Sequence, residues 1–518
     1  MASLLERYAS RIAGVLSCYD RVIITGTLPG ICYGEGMARH LRSQGVRLFD
    51  YPRFCKPLCD QVRARAEAVA AENGLQIEYI RSARAFRKED RIREILRQRG
   101  EHPGLVHIFS VMETCPSFIP WHDKRTGKTT LRSKDAKCVH YYFYFIDPTF
   151  GLCHLRVPTW APFRLQFYCN GHHWLANQMR KRGLCFTVLD NTFVGISDWP
   201  AAQEIADQFP VAQLHRLLDR LAKQYCPPSS RFEHSYHWSL SQVEYATDIV
   251  FQRQDDLRPL YDALVRTAVH AVKPAHVATF LGRKLHVLYQ GDLGNDFHTR
   301  VEGTCIKHHM GPAAIKLYDK QGLVMRIETT VNEVRFFRHH RQVEHRDGSR
   351  EMKFAPMQKT IYSLPPLREL LLAANRRYLA FLSDLIDPSG AVRDVEKLAE
   401  PVRHNHRTYR GFNVFSKADL TALWALCDGK HAISGITNRM LRRALASLSS
   451  AQVSRLLKRL RLHGVIKKIG KTYKYYFTAM GRRLILTALK LRELVVIPCL
   501  AGIQPPQIPA PLERKTAC

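Results

Sequence analysis

The sequence predicts a protein of several domains that combines α/β and α+β folds and ends in a basic, mainly helical unit. Three observations lead to this prediction. At 518 residues the chain is too long for one ordinary hydrophobic core. Its 46% hydrophobic and 10% aromatic residues are typical of a folded protein. Strand patterns and helical patterns alternate along most of the chain, which predicts sheets covered by helices.

The predicted domains are an N-terminal α/β domain, a strand-rich central domain, a helical connector, a C-terminal domain and a tail. The Pro-Pro-Ser-Ser sequence at 227–230 predicts the first linker. A long helical pattern at 364–385, opened by two prolines, predicts the connector. The predicted boundaries are 1–230, 231–345, 346–415, 416–490 and 491–518.

Periodicity places the elements of the first domain. A strand that enters a glycine-containing loop is predicted at 20–27. The other predicted helices are 62–72, 88–99 and 173–182, and the other predicted strands are 105–109 and 139–146.

The net charge of +32 is distributed unevenly along the chain. The segment Gly429–Lys490 contains fifteen Lys or Arg residues and no Asp or Glu. Like charges repel, so a long cationic segment indicates a polyanionic partner that offsets the repulsion. The N-terminus lacks a signal-peptide pattern, and no run of 18 apolar residues occurs. These patterns predict a cytoplasmic protein with a nucleic acid as partner and no membrane contact, and leave its oligomeric state open.

The cationic segment has the pattern of a compact unit. A Ser-x-x-Asp cap at Ser416 opens a first helix that ends near Gly429. Second and third helices are predicted at 437–446 and 451–463, the third capped by Ser449 or Ser450. Two short strands around a Gly470-Lys471 turn and a last helix follow: the strands are 465–469 and 473–477.

This order resembles a MarR-like winged helix-turn-helix domain. The resemblance covers residues 416–490 and depends on the sequences SRLLKRL at 454–460, HGVI at 463–466 and YYFTAMG at 475–481. It implies duplex DNA binding through the third helix and the wing. The alternatives are a solvated basic bundle, a winged helix that binds proteins, and RNA binding by the same unit.

Apolar residues at helical spacing predict which face of the third helix is buried, and the remaining positions are the candidate DNA contacts. The wing lysines would follow phosphates or enter the minor groove. The candidate residues are Gln452, Ser454, Arg455, Lys458, Arg459 and Arg461 in the helix and Lys467, Lys468, Lys471 and Lys474 in the wing.

A second candidate site lies in a predicted hairpin of the central domain, with strands at 314–318 and 323–331. Strand periodicity places Arg326 and Glu328 on one face. A three-residue turn would place Lys316 and Tyr318 on the same face, whereas an even loop would separate them.

A tyrosine, two bases and a carboxylate on one sheet face fit phosphodiester transesterification. In this hypothesis Tyr318 attacks phosphorus, and Lys316 or Arg326 stabilises the pentavalent charge. Glu328 would bind a divalent metal, Mg²⁺ or Mn²⁺. The alternative is a basic hairpin in which Arg326 and Glu328 form a surface ion pair.

The order Tyr-Asp-Lys then Arg-Ile-Glu within 314–331 is similar to that in rolling-circle replication initiators of plasmids and phages. The resemblance implies a tyrosine nucleophile and a metal site. The chain departs from the family in one respect, since it lacks a His-hydrophobic-His motif and His308 and His309 are adjacent.

Two further patterns carry hypotheses about unpaired nucleic acid and metal ions. Aromatic residues interleaved with Arg, Gln, Asn and His at 156–174 can stack on bases or form an aromatic core, and the candidates are Tyr168, His173 and Trp174. Acids at predicted strand ends could converge on metal ions or cap turns, and these acids are Asp20, Glu113, Asp147, Asp190 and Asp198.

The combined prediction is a nucleic-acid-binding protein of a mobile element or replication system. It binds duplex DNA through its C-terminal domain, and strand nicking or joining is a hypothesis for the remainder. A non-enzymatic transcriptional regulator and a protein that binds structured RNA are the alternatives. Single-stranded DNA is a further candidate partner.

Overall fold

The computed structural model describes residues 4–81, 86–286, 288–300, 303–386, 395–427, 435–470 and 472–501. The chain divides into two compact units, Met1–Ile386 and Asp387–Cys518. Both α-helices and β-sheets are present, so the structure is mixed α/β and multidomain as predicted. Among the residues with described positions, we find no helix with the length and apolar character to cross a bilayer.

An eleven-stranded mixed sheet lies at the centre of the first unit. Its neighbours are antiparallel except β2 and β3. The order is β10-β11-β12-β13-β9-β1-β6-β5-β4-β3-β2. The strands are β1 Ile12–Thr27, β2 Ile77–Ile80, β3 Gly104–Asp123, β4 Lys128–Asp147, β5 Gly151–Pro158, β6 Leu165–Asn170, β9 His237–Phe251, β10 Leu293–Arg300, β11 Gly303–Met310, β12 Ala313–Lys320 and β13 Val324–Val331.

Two separate hairpins accompany this sheet in the first unit: β7 Phe186–Leu189 with β8 Thr192–Ile196, and β14 Arg338–Glu344 with β15 Arg350–Pro356.

Amphipathic helices pack against the central sheet, and α4 (Lys88–Arg99) lies on the face opposite to the main core. In one of them, Leu214, Leu217, Leu218 and Leu221 recur at helical spacing and are all buried. The helices are α1 Leu4–Arg7, α2 Gly34–Ser43, α3 Tyr51–Glu72, α4 Lys88–Arg99, α5 Gly171–Lys181, α6 Trp199–Ala206, α7 Val211–Tyr225, α8 Gln254–Ala271, α9 Pro274–Phe280 and α10 Leu364–Ile386.

Most predicted elements of the first unit are present. The predicted helix at 88–99 has the bounds of α4, and the predicted helix at 62–72 is the second half of α3. The predicted helix at 173–182 corresponds to α5. The predicted strands at 20–27, 105–109 and 139–146 lie within β1, β3 and β4, which are longer than predicted.

The central sheet extends across the predicted boundary at residue 230. Strand β9 pairs with β1 on one side and β13 on the other, so the predicted first and second domains share one sheet. The predicted connector helix is α10, and it packs against this sheet. Asn375 donates hydrogen bonds to the Tyr245 carbonyl (3.1 Å) and to Thr247 Oγ1 (3.0 Å). The helix therefore belongs to the core of the first unit.

The second unit has its own hydrophobic core, which includes Leu423, Leu441, Val453, Leu460 and Ile485. Helices and four short strands surround this core, and the elements after residue 416 follow the predicted order. The elements are β16 Val402–His404, β17 Arg407–Tyr409, α11 Lys417–Leu426, α12 Asn438–Ala444, α13 Ser450–Leu462, β18 Ile466–Lys468, β19 Tyr475–Phe477, α14 Ala479–Leu491 and α15 Ile497–Leu500.

Helix caps in the second unit follow the prediction at one helix and depart from it at another. Ser449 and Gln452 form a reciprocal capping box at α13, which settles the predicted choice between Ser449 and Ser450. At α11, Ser416 occupies the N-cap position but its side chain makes no capping hydrogen bond. Asp419 instead accepts from the Asn413 amide (3.0 Å), so the predicted Ser-x-x-Asp cap is wrong.

Candidate functional site

The turn between β12 and β13 decides which side chains meet in the hairpin. Three residues, 321–323, connect the two strands. Lys316 therefore lies opposite Glu328, and Tyr318 lies opposite Arg326. The four predicted catalytic residues consequently share one sheet face, as expected for a three-residue turn.

Glu328 is held between two of these residues. The Tyr318 hydroxyl donates to Glu328 Oε2 at 2.7 Å, and Lys316 Nζ donates to Glu328 Oε1 at 2.6 Å. Burial raises the pKa of Tyr318 well above its usual value, and the neighbouring Glu328 raises it further. The phenol is therefore protonated at neutral pH and faces a carboxylate that can accept its proton.

Lys316 connects this arrangement to solvent. Burial alone would lower its pKa, but Glu328 and Glu244 together raise it, so the ammonium form is favoured. Its side chain is 25% exposed, whereas that of Glu328 is 3% exposed. The lysine also lines a cleft of about 540 Å³ together with Glu244 and Thr330. A ligand in this cleft would meet the lysine before the carboxylate.

Arg326 does not face the cleft. Its side chain is fully buried, and Asp248 accepts from Nε (2.6 Å) and from one terminal nitrogen (2.7 Å). The other terminal nitrogen donates to Asp20 at 3.2 Å. The predicted contact between Arg326 and substrate is therefore wrong, because acids from β1 and β9 hold the guanidinium inside the protein. The predicted surface ion pair with Glu328 is wrong for the same reason.

His172 completes the buried network around Arg326. Its Nε2 lies 3.1 Å from Arg326 and its Nδ1 lies 3.3 Å from Asp20. Burial alone would lower the pKa of His172, but Cys18 and the carboxylates of Asp20 and Asp248 raise it well above its usual value. The pKa of Asp248 falls to about 2, because Arg326 and His172 outweigh its burial. Asp248 and Arg326 are thus stabilised in their ionised forms.

Three carboxylates converge beside this network. One oxygen each from Asp20, Glu244 and Glu328 lies within 4.8 Å of the other two, and all three residues are buried. Asp20 comes from β1, Glu244 from β9 and Glu328 from β13. The predicted convergence of acids thus occurs for Asp20, and the predicted metal ligand Glu328 belongs to the same group.

The donor set fits Mg²⁺ or Mn²⁺, since both prefer carboxylate oxygens. Two cations already compensate the acids: Lys316 Nζ lies 3.6 Å from Glu244, and Arg21 Nε lies 3.5 Å from Glu244. A metal ion at this place would therefore compete with the Lys316 ammonium.

The other predicted acids have different partners. Glu113 accepts from Tyr142 and Arg156, Asp147 accepts from the amides of Thr149 and Phe150, and Asp198 caps α6. Asp190 lies 3.8 Å from Lys320 and is largely exposed. Turn and cap roles therefore account for Asp147 and Asp198, as the alternative interpretation predicts.

Sequence analysis missed Glu244 and Asp248, and it placed His172 in the segment 156–174 without choosing it as a candidate. The first two alternate with other residues along β9, so their side chains point to the same sheet face. Two acids on one face of a strand whose second half is otherwise mainly apolar were a signal for a polar face. The partners of His172 lie on β1 and β9, so the local sequence does not indicate its role.

The aromatic segment separates into two environments. The Tyr168 ring is half-buried on the sheet and stacks on His154, with ring centres 5.0 Å apart. Trp174 is 3% exposed and packs against Phe209 in the core, and His173 is half-buried on the same helix. Core packing, the alternative interpretation, describes Trp174.

In α13, four of the six predicted DNA contacts have protein partners. Gln452 belongs to the capping box, and Ser454 accepts from Asn438 at 2.8 Å. Lys458 lies over the ring of Tyr409. Arg459 binds Asp419 with both terminal nitrogens (2.8 and 3.0 Å), which gives it a structural role.

Arg455 and Arg461 are exposed on α13, and Lys467, Lys468 and Lys474 are exposed on or beside the two short strands. Lys468 also lies 5.4 Å from the ring centre of Tyr473. Lys471 lies outside the described residues. Exposed cations of this unit thus include positions on the helix and on the strand pair after it, and others lie on α12 and α14, such as Arg442 and Arg482.

Comparison with known proteins identifies no family for this chain. It matches no known family model and no curated protein. Among solved structures, it is similar to the di-domain ARO/CYC BexL from the BE-7585A biosynthetic pathway, at 9% identity and a TM-score of 0.14, over 57% of this chain and 92% of that chain. A TM-score of that size supports no conclusion about fold or function.

Proposed function

We propose that this protein binds duplex DNA through a C-terminal winged helix. In this proposal α12 and α13 form the helix-turn-helix and the β18–β19 pair forms the wing. The observation that carries the proposal is the exposure of cations on α13 and its following strands, in a segment with no acidic residue. Phosphate groups would neutralise these charges, and arginine in a major groove can read base edges.

Two single variants separate base reading from phosphate binding. Arg455→Ala should reduce discrimination between a selected site and random duplex by about 1–3 kcal/mol, because a base contact is lost. Lys467→Ala should weaken binding to all duplexes equally and reduce the salt slope by about 0.9, because one phosphate contact is lost. Fluorescence anisotropy over a salt series measures both quantities.

Arg482→Ala is the matched control, since it removes an exposed cation from α14 in the same unit. Equal loss of binding for every sequence in the Arg455 variant would contradict base reading by α13. Preference for folded RNA over duplex DNA in competition at about 150 mM salt would favour the RNA-binding alternative. Protection of a specific DNA site without any cleavage would favour a transcriptional regulator.

A second function, DNA strand cleavage, is supported by the hydrogen bond between Tyr318 and Glu328. Nucleophile and base lie within hydrogen-bond reach, and Lys316 orients the base from its other oxygen. In the proposed step, Tyr318 Oη forms a bond to phosphorus as its proton moves to Glu328. The bond from phosphorus to the leaving sugar oxygen breaks, and that oxygen takes a proton from Lys316.

A divalent cation held by Asp20, Glu244 and Glu328 would displace the Lys316 ammonium from its carboxylate partners and would neutralise charge on the phosphate. The arrangement suits a replication or mobile-element protein that nicks or joins strands. Arg326 holds Asp20 in place through its buried hydrogen bond rather than touching the phosphate.

Nicking of supercoiled plasmid with Mg²⁺ or Mn²⁺ tests this second function. Tyr318→Phe should abolish nicking and the covalent protein–DNA adduct seen by mass spectrometry, since the attacking oxygen is removed. Tyr362→Phe, which changes an exposed tyrosine elsewhere in the same unit, should leave both unchanged. Nicking by Tyr318→Phe at the wild-type rate would exclude a Tyr318 nucleophile.

A further inference from the structure

Strands β3 and β4 continue beyond the sheet as a two-stranded ribbon. Both strands are 20 residues long, and they pair with each other from Gly104–Ile146 to Asp123–Lys128. The pairing of β5 with β4 stops at His140, and the pairing of β2 with β3 stops at Val111. Residues 112–123 and 128–139 thus pair only with each other among the strands of the described structure.

The two faces of the ribbon differ in chemistry. On one face Phe118 and Leu131 are buried, and the Phe118 ring packs against Tyr51 of α3 with ring centres 5.8 Å apart. This packing attaches the ribbon to the core of the first unit. Towards the tip, the opposite face points to solvent, because side chains alternate along each strand, whereas Cys115 and Ser117 nearer the sheet are buried on that face.

The solvent face is cationic. Arg132 and Lys134 are exposed there, and Lys128 is exposed at the start of β4. The segment 116–138 contains six Lys or Arg residues and two Asp residues. In the described part of 116–138, no Lys or Arg nitrogen lies within 4.0 Å of a carboxylate oxygen. The charges are thus available to a partner.

An aromatic ring fixes one of these cations. The Arg132 guanidinium carbon lies 4.0 Å from the ring centre of Trp121, which is 44% exposed. This cation–π contact orders the guanidinium and leaves its hydrogen-bond donors free for an anion. The turn at the tip is also ordered, since the Arg125 amide donates to Asp123 at 2.9 Å and Gly127 takes a positive φ of 64°.

We propose that this ribbon is a second DNA-binding element, separate from the winged helix. A two-stranded β-ribbon fits the major groove of duplex DNA, and a cationic face with an ordered arginine suits the phosphates that line it. Lys128, Arg132 and Lys134 contact phosphates, and Trp121 holds Arg132 in position. The partner is duplex DNA, recognised by its backbone.

The test uses the full-length chain and a charge-neutral variant, Lys128→Gln/Arg132→Gln/Lys134→Gln. Affinity for a short random duplex should fall about 10- to 100-fold at about 100 mM salt, and the salt slope should fall by about 2–3, since each phosphate contact contributes about 0.9. Arg93→Gln/Arg97→Gln/Lys181→Gln removes the same charge from exposed positions on α4 and α5 and should change both values much less. Equal losses in the two triple variants would overturn the proposal.

A second measurement needs no variant and separates this proposal from the winged helix. Duplex DNA should protect Lys128 and Lys134 of the wild-type protein from acetylation, as read by mass spectrometry. Full reactivity of both lysines at saturating DNA would overturn the ribbon contact. If these lysines are protected and the Arg455→Ala variant binds duplex DNA with unchanged affinity and sequence discrimination, the ribbon contact is supported. The same result would count against base reading by α13.

Discussion

Arg326 and Arg455 have opposite environments in the two units. Arg326 is fully buried and bound by Asp20 and Asp248. Arg455 is exposed on α13, in a segment that has no acid to pair with it. The comparison shows how the protein uses charge. Buried charges join distant strands and determine stability, whereas exposed charges contribute little to stability and are free to bind a polyanion.

The largest expected effect on stability is at the buried Arg326. Arg326→Met should lower the free energy of unfolding of the first unit by about 3–5 kcal/mol, because it leaves Asp20 and Asp248 buried without their partner. Urea denaturation followed by hydrogen exchange of peptides from the first unit measures the loss. Arg21→Met, at a half-exposed arginine, is the control and should cost far less. A loss below about 1 kcal/mol for Arg326→Met would mean that the network is not stabilising.

The free energy of unfolding at acid pH should depend on the same network. The pKa of Asp248 is about 2 in the folded state and about 3.8 in the unfolded chain. Its contribution of about 2 kcal/mol is therefore present above about pH 4 and is lost as the pH falls toward 2. The contribution of His172 to stability depends on pH in the opposite direction. Its pKa is raised in the folded state, so the contribution is complete below the pKa of the unfolded chain. It is lost as the pH rises through the pKa of the folded state.

Unfolding of the first unit in urea at several pH values between 2 and 5 tests the Asp248 contribution. Asp248→Asn should flatten this dependence of the free energy of unfolding on pH, because the amide does not titrate. An unchanged slope in this variant would assign the acid dependence to other carboxylates.

In the second unit, a smaller effect is expected from the helix cap. Ser449→Ala should destabilise the unit by about 1 kcal/mol, because the Gln452 amide loses its capping partner at the start of α13. Hydrogen exchange of α13 peptides measures the change. Ser416→Ala is the matched control, since its side chain makes no capping bond, and it should have a smaller effect. Equal losses would show that the capping box does not stabilise α13.

The smallest effect is expected at the exposed cations themselves. Arg455→Ala/Arg461→Ala should change the stability of the second unit by no more than about 0.5 kcal/mol, because neither side chain is buried. Arg459→Ala should cost more, since it breaks the pair with Asp419. If the double variant unfolds the second unit, Arg455 and Arg461 have a structural role. The contrast between buried charges that stabilise and exposed charges that do not would then be wrong.

The sequence by itself determined the order of most elements and the location of the cation-rich segment. Helix α4, the β12–β13 hairpin and the start of α13 follow from periodicity, turn residues and capping residues, which act over a few neighbouring positions. The cationic character of Gly429–Lys490 is a property of composition and needs no fold.

Only the tertiary structure decided which charges are buried. Arg326 and Arg459 look like other basic residues in the sequence, yet acids 78 and 40 positions away bind them. The acid convergence at Asp20, Glu244 and Glu328 likewise depends on strand order across the sheet. Pairing between distant strands brings these groups together, and periodicity within one strand contains no information about its neighbours.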